Sequence, residues 1–421
     1  MPDIIIRDIE SIIVDLPLRR LQRFSALAAQ RQSLVVIRIR STDGIMGVGE
    51  ASIPSGPWWG GESVETIKSI ADIYLAPVLI GQRATDMAVL RARMDEAAFG
   101  NSFAKAGLEM ALWDLIGHTL EQPVHALLGG KVRDSLNVAW PLATGDPRQE
   151  IDEALAKLEA GEASAFKLKM GAVELKQDVA RACEVTLALR DRAGIRVDPN
   201  ERWTEVDALW AIPRLAEVGV EMIEQPLPRE DLDGPVRLQA RAAMPIMLDE
   251  SIRTPHDMLE AAKKGAGALI SLKIMKSGGM VPSRAVADVA LAAGAALYMG
   301  TFLESSLGTS GNMQFCATLP HLPLGGELVG PMLVADDITE EPVRYMDGAL
   351  QLPKGNGIGA RIDEDKLKSY RRDRAHTTVT ASTGQGGGGT KLAVAGSEGS
   401  PWPARSSQPL STRSAISCSM E

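Results

Sequence analysis

Cysteine is nearly absent from this chain of 421 residues. The three present, Cys183, Cys316 and Cys418, are odd in number and far apart, which leaves neither a disulfide framework nor a close-spaced zinc motif. A reducing cytoplasm fits such a chain. Histidine is sparse too, at five residues. His256 follows Pro255 near an expected helix start and the others lack a repeat-linked partner, so no histidine-based metal or nucleophile pair emerges. Positive charge is not in excess, because 45 Lys+Arg stand against 54 Asp+Glu for a net charge of −9, which is not the footprint of a nucleic-acid binder. A locally cationic pocket for an acidic substrate remains compatible with that balance. No apolar run approaches the roughly 20 residues that a membrane helix needs. The opening MPDIIIRDIESIIVD is broken by Asp3, Arg7, Asp8 and Glu10, so no signal-peptide core is expected.

What is present is the composition of an ordinary soluble globular protein, 45% hydrophobic and 24% charged. At about 150 residues per domain, two or three domains are expected. IESIIVDLP and SLVVIRIRS alternate apolar and polar residues and are followed by turn signals at Asp43-Gly44 and Gly47-Val48-Gly49, a pattern suited to antiparallel strands. Between Lys105 and Leu120, Leu108, Ala111, Leu112, Leu115 and Ile116 recur at helical spacing and share one face. Residues 1–130 therefore read as α+β.

Beyond Gly129-Gly130 the pattern changes to short apolar runs followed by helical segments. Seven candidate strands begin at Asn137, Ala165, Gly194, Val220, Pro245, Ala268 and Ala295. Strands alternating with helices, without a dinucleotide fingerprint, favour a closed parallel barrel over an open doubly wound sheet. Residues 331–374 read as short strands and turns that return to the first domain. From Ala375 to the end, Gly, Ser, Thr and Pro dominate, with Gly386 to Gly389 in a row, and this tail is expected to be disordered.

Acidic residues stand near the ends of three successive candidate strands: Asp198 in RVDPN, Glu224 in MIEQP and Asp249 in MLDES, 26 and 25 residues apart. That interval is one strand-plus-helix unit, so a parallel barrel would carry all three to its C-terminal rim. A single acid after a strand is commonly a turn former or helix N-cap; the regular triplet argues against that for the set. Converging carboxylates repel unless a cation joins them, and hard oxygen donors suit Mg²⁺ or Mn²⁺ better than zinc. Asn200 is placed to orient Asp198, and Glu250 to cap the following helix.

The same rim receives lysines. Lys167 and Lys169 in FKLKMG share one face of their strand, and Lys273 in SLKIMK lies one unit after Asp249. If that face is the barrel interior, two ammoniums beside a divalent metal would suppress each other's protonation and leave Lys169 poised for proton transfer.

These motifs, in this order, resemble the muconate-lactonising branch of the enolase superfamily. The resemblance runs over roughly residues 4–370 and includes GNSFAKAGLEMALWDLIG, LLGGKVRDSL, GTFLESSLGT and GGELVGPML. It implies a modified (β/α)₇β barrel (131–330) capped by an α+β domain (1–130), together with a homo-oligomer, often an octamer. It further implies that Lys169 is the proton donor or acceptor, Lys167 its electrostatic neighbour, Lys273 the opposite-face lysine and Glu327 a member of the active-site network. Asp198, Glu224 and Asp249 become the Mg²⁺ or Mn²⁺ ligands. DPNERW departs from the DVNQAW form of well-matched members. The implied reaction is lactonisation of cis,cis-muconate to muconolactone in aromatic catabolism, acting on a small carboxylate with no nucleic-acid or membrane partner. Residues 17–32 and 51–61, the latter with Trp58 and Trp59, are expected to cover the barrel mouth. The rivals are dipeptide or N-acylamino-acid racemisation and o-succinylbenzoate synthesis on the same residues, and a non-catalytic barrel that binds small molecules. A dipeptide epimerase would carry an Asp-x-Asp element where GTFLE stands.

Overall fold

The computed structural model describes residues 3–23, 28–372, 378–382 and 391–394. The expected antiparallel strands are there: β1 (Ile6–Arg23), β2 (Ala28–Ser41) and β3 (Met46–Ser52) pair in sequence order. Helix α1 (Ser102–Thr119) lies across them. Close approach is bought by glycine, since a Cβ on Gly49 would sit 2.3 Å from the carbonyl oxygen of Gly107 and one on Gly47 would sit 2.3 Å from that of Ala111. The spacing predicted one apolar face, yet α1 is buried nearly all round, Lys105, Glu109 and Asp114 included. The polar side chains are tied by backbone amides on either side: Asp114 accepts from Val48 N of β3 at 2.8 Å and Ile358 N at 2.7 Å, and Glu109 accepts from Val281 N at 2.8 Å.

All seven candidate strands of the second region form one parallel curled sheet in sequence order. They are β4 (Ala139–Leu142), β5 (Ala165–Lys169), β6 (Gly194–Asp198), β7 (Met222–Glu224), β8 (Ile246–Leu248), β9 (Leu269–Leu272) and β10 (Ala296–Met299). The intervening helices are α2 (Pro147–Glu159), α3 (Leu175–Leu189), α4 (Glu205–Val218), α5 (Asp233–Gln239), α6 (Pro255–Lys264) and α7 (Met280–Ala292), with α8 (Ser306–Cys316) after the last strand. Covering by helices buries both faces of the strands, so they read as near-continuous apolar runs. Gly326 makes parallel bridges to Met299 at the last strand and to Val138 just before the first. A Cβ there would sit 2.5 Å from the carbonyl oxygen of Met299.

Residues of the 331–374 segment contact the first region. Leu18 bridges to Val334 and Val14 to Arg371, and Arg38 forms an ion pair with Glu364 at 2.6 Å. It also holds a helix that the strand-and-turn reading did not anticipate, Glu364–Tyr370, whose N-cap Asp363 accepts from two backbone amides. The expectation of a structureless stretch from Ala375 is departed from at two places. Thr378–Ser382 pairs antiparallel with β1 and Lys391–Val394 pairs with it in turn. The unpaired edge of β1 supplies the amides and carbonyls that a TVTAS strand can use. Residues 373–377, 383–390 and 395–421 of that expectation lie outside the described residues.

A buried carboxylate joins the two regions. Glu50 of β3 accepts from Ser305 N at 3.0 Å and Gly308 N at 3.1 Å at the start of α8, and from the hydroxyls of Ser52 and Ser305. Burial pushes its carboxyl up to about 7, against the hydrogen bonds from Ser305 and Ser52 and helped by the nearby charge of Glu304. A raised carboxyl pKa means the neutral form suits the fold better. Its contribution is complete below the ordinary value of 4.5 and lost as pH rises through about 7. The unfolding free energy of Glu50→Gln, followed by urea titration, is expected to fall less between those two pH values than that of the parent; parallel curves would refute the assignment.

Candidate active site

Strand alternation sends Lys167 and Lys169 to one face of β5, and both reach the acid at the end of β6. Lys169 Nζ lies 2.5 Å and Lys167 Nζ 3.5 Å from Asp198 Oδ2. Lys167 Nζ also pairs with Glu224 Oε2 of β7 and with Glu327 Oε2, just past Gly326. One cationic nitrogen is thus gripped by acids from two strand ends and from the residue after Gly326. Across the rim, Lys273 Nζ pairs with Asp249 Oδ2, and Lys276 Nζ donates to the carbonyl of Asp249 at 2.7 Å and to its Oδ1 at 2.8 Å. Asp198, Glu224 and Asp249 are fully buried, Lys167 and Lys276 almost so, while the Lys169 side chain keeps 22% of its surface exposed.

The electrostatics follow from those contacts. Burial disfavours charge on Asp198, yet the Lys169 and Lys167 ammoniums outweigh it and hold the carboxyl below its ordinary value. Asp249 is held low in the same way by Lys273 and Lys276. Glu224 goes the other way: burial and the charges of Asp198, Asp249 and Glu327 raise it far above the usual range despite Lys167. Burial pulls Lys167 down, but Glu224, Glu327 and Asp198 more than offset it and keep the ammonium protonated. Carboxylates, not the neighbouring ammonium, dominate the surroundings of Lys167. Lys276 is lowered by burial and by Lys273 against the pull of Asp249.

All seven residues singled out from the sequence meet at this rim. Asn200 orients Asp198 as anticipated, donating its N–H to Oδ1 at 2.9 Å, and its amide group reaches Glu250 at 3.2 Å. Glu250 does not cap the next helix; Thr254 does, with Asp257 completing the capping box. Glu250 instead joins the cluster, pushed up to about 8 by burial and by Asp249 and Asp198. Lys276 was missed, although it lies three residues beyond Lys273 in the same SLKIMK segment. It reaches the site because Ile274–Ser277 turns as a short helix rather than continuing as a strand. Gln225 was missed too. Its Oε1 accepts from Asp249 N at 2.9 Å and Ser251 N at 3.3 Å, knitting two neighbouring strand ends together.

Over the rim lies the 51–61 segment. Trp59 is buried and packs edge-on against Phe302 at 4.6 Å between ring centres. Lys273 Nζ is 4.9 Å from the Trp59 ring centre and 4.8 Å from that of Phe302. Of the 17–32 segment, residues 24–27 lie outside the described residues; Arg20 donates to the carbonyl of Pro141 at 3.1 Å at the end of β4.

The donor types suit a hard divalent cation. Glu224 Oε1 is buried without a hydrogen-bond partner, and three carboxylates from adjacent strands face a common space. Among the described residues, however, no three such donors are already spaced around one point, because the lysine ammoniums stand between them.

Comparison with known proteins agrees with this architecture. Residues 8–129 match the family model for the mandelate racemase / muconate lactonizing enzyme N-terminal domain, and residues 149–366 that for the enolase C-terminal domain-like fold. A chloromuconate cycloisomerase of Cupriavidus pinatubonensis (strain JMP 134 / LMG 1197) is 50% identical over 361 residues, covering 86% of this chain and 97% of that protein. Muconate cycloisomerase 1 of Rhodococcus opacus is 40% identical over 373 residues, covering 89% and 100%. The crystal structure of muconate lactonizing enzyme from Pseudomonas fluorescens complexed with muconolactone superposes with a TM-score of 0.86 at 42% identity, over 88% of this chain and all of that one.

Removing one partner of a buried ion cluster leaves the rest uncompensated. Lys167→Met is expected to lower the unfolding free energy by about 3 kcal/mol at neutral pH; unchanged urea unfolding would contradict the ion cluster described above.

Proposed function

The chain belongs to the mandelate racemase / muconate lactonizing enzyme family of the enolase superfamily, and from that we propose that it is a cycloisomerase converting cis,cis-muconate, or a chlorinated muconate, to the lactone. The observation that carries the reading is a pair of lysines, Lys169 on Asp198 and Lys273 on Asp249, held at two different acids of one buried cluster. We read the curled sheet, with both edges meeting Gly326, as a (β/α)₇β barrel over 131–330, capped by residues 1–130 and the returning segment 331–374. Assembly as a homo-oligomer, often an octamer in this branch, belongs to the same reading. No helix among the described residues is long and apolar enough to cross a membrane, and the free thiols of Cys183 and Cys316 accord with a reducing cytoplasm.

In the reaction, one carboxylate of the substrate adds to the conjugated double bond. A C–O bond forms, the π bond breaks, and the electron pair moves to the carbon next to the other carboxylate. Lys169 donates its Nζ proton to that carbon. Asp198, 2.5 Å away, keeps the ammonium aimed while the proton is held, and partial exposure lets Lys169 take up a new proton from water. Lys273 occupies the opposite side, between Asp249 and the Trp59 and Phe302 rings, where its charge orients a substrate carboxylate. Asp198, Glu224 and Asp249 would hold Mg²⁺ or Mn²⁺, which supplies the positive charge that makes the electron-rich carboxylate accessible. The 51–61 segment excludes water from the site.

The dipeptide reading lacks support at GTFLE. The Glu304 carboxylate there is turned back on its own loop, accepting from the Thr301 hydroxyl at 2.5 Å and Phe302 N at 3.1 Å.

Loss of cis,cis-muconate absorbance, followed with and without chelator beside a dipeptide panel, tests the assignment. Turnover of muconate that chelation abolishes is expected; turnover of dipeptides alone would replace the reading, and none of either would favour a binding barrel. Lys169→Ala is expected to lower kcat by at least about 10³-fold while Mn²⁺ binding, read by electron paramagnetic resonance, persists. Asp198→Ala is expected to weaken Mn²⁺ binding itself. Near-parental rates in Lys169→Ala would remove the proton-transfer role.

A further inference from the structure

The DPNERW segment departs from the family form, and the structure places its Glu201 in a contact that the mechanism above does not use. Glu201 faces Arg229, in the loop after β7. Arg229 Nε lies 2.8 Å from Glu201 Oε1 and Nη2 lies 2.5 Å from Oε2, while the backbone N–H of Arg229 donates to Oε1 at 2.8 Å. The third arm, Nη1, donates to the carbonyl oxygen of Trp59 at 3.0 Å, and the guanidinium lies 5.8 Å from the Trp59 ring centre. Trp59 in turn lies against Phe302 and Lys273. A single line of contacts therefore runs from Glu201 through Arg229 and Trp59 to the opposite-face lysine.

Three features mark this line as more than surface decoration. An exposed ion pair is worth little by itself, but this one is two-pronged and backed by a backbone donor, the geometry in which Arg–carboxylate pairs are strong. Asn200 and Glu201 hold φ of 45° and 67°, a left-handed conformation that non-glycine residues adopt at a cost, at the turn that aims Glu201 at Arg229. Both side chains keep partial exposure, 28% for Arg229 and 20% for Glu201, so water can compete for the contact and release it. A glutamine at position 201 would present one acceptor oxygen and could not take both prongs.

We propose that Arg229, oriented by Glu201, is a positioning residue of the reaction: it holds the Trp59 wall against Lys273 and so sets how tightly the dicarboxylate is retained. The inference rests on the lactonisation reading for its kinetic consequence, but its structural content, the tethering of Trp59, does not.

The test uses Arg229→Ala, Arg229→Lys and Glu201→Gln in the full-length protein. Acrylamide quenching of Trp59 is isolated from the other tryptophans by subtracting each variant's Trp59→Phe counterpart, and steady-state kinetics are run with cis,cis-muconate. Arg229→Ala is expected to raise Trp59 quenching about twofold and KM about tenfold, with kcat within about threefold of the parent. Arg229→Lys and Glu201→Gln should fall between. Unchanged Trp59 quenching overturns the tether. A drop in kcat at constant KM overturns the retention role, as does a loss of both that tracks a lowered melting temperature. Should Arg229→Ala fail to fold, Glu201→Gln carries the same two readouts. If the parent does not turn over muconate, it is the lactonisation reading that fails, and quenching alone decides the tether.

Discussion

Charge compensation at the carboxyl rim of the parallel sheet governs the rest of the molecule. Five buried acids, Asp198, Glu224, Asp249, Glu250 and Glu327, share the space with four lysines, Lys167, Lys169, Lys273 and Lys276, so that with every group ionised one negative charge would be left over. The deficit has an address. Glu224 Oε1 and Glu250 Oε2 are the buried oxygens of this set without a hydrogen-bond partner, and both carboxyls are pushed upward. The cluster therefore accepts one more positive charge readily, whether a proton or a cation, and buried carboxylates tolerate their position only because that charge can be supplied.

Holding such a cluster demands a rigid rim. The backbone turns sharply straight after the acids, with positive φ at Asn200, Glu201 and Gln225, conformations that persist only where surrounding structure over-determines them. Gln225 does part of this by accepting from the amides of Asp249 and Ser251. Behind β5, Arg181 of α3 donates to the carbonyl of Lys169 at 2.7 Å while paired with Asp178 at 2.7 Å and Glu150 of α2 at 2.5 Å. The strand end that carries Lys169 is thereby fixed from outside the sheet.

The acids were legible because each strand-plus-helix unit has nearly the same length, so a regular interval in sequence becomes a shared rim in space. Lys167 and Lys169 were legible through the two-residue period of a strand. That logic stops where the backbone stops being a strand: Lys276 enters on a helical turn, and Glu250 follows a strand end whose helix is capped four residues later by Thr254. Gly326, meeting both edges of the sheet, gives no periodic signal either, since it pairs through single bridges rather than a ladder. The all-round burial of α1 was hidden because its polar residues are satisfied by amides distant in sequence, such as those of Ile358 and Val281. Local pattern cannot report a partner that the chain supplies 170 or more residues later.

The two joints between the N-terminal region and the rim differ in kind, and the difference decides what can move. At Glu50 the joint is fully buried, lies at the N-terminus of α8 and draws on two backbone amides; Gln32 adds a second fixed point by donating to the carbonyl of Phe302 at 3.1 Å and of Ile53 at 3.4 Å. Those contacts pin the base of the 51–61 segment to the rim. Its far end is held by Arg229, which water can reach, and between the two anchors Ser55 and Gly56 already hold φ of 55° and 109°. Releasing the Trp59 contact would therefore cost a few hydrogen bonds rather than the burial of a domain interface.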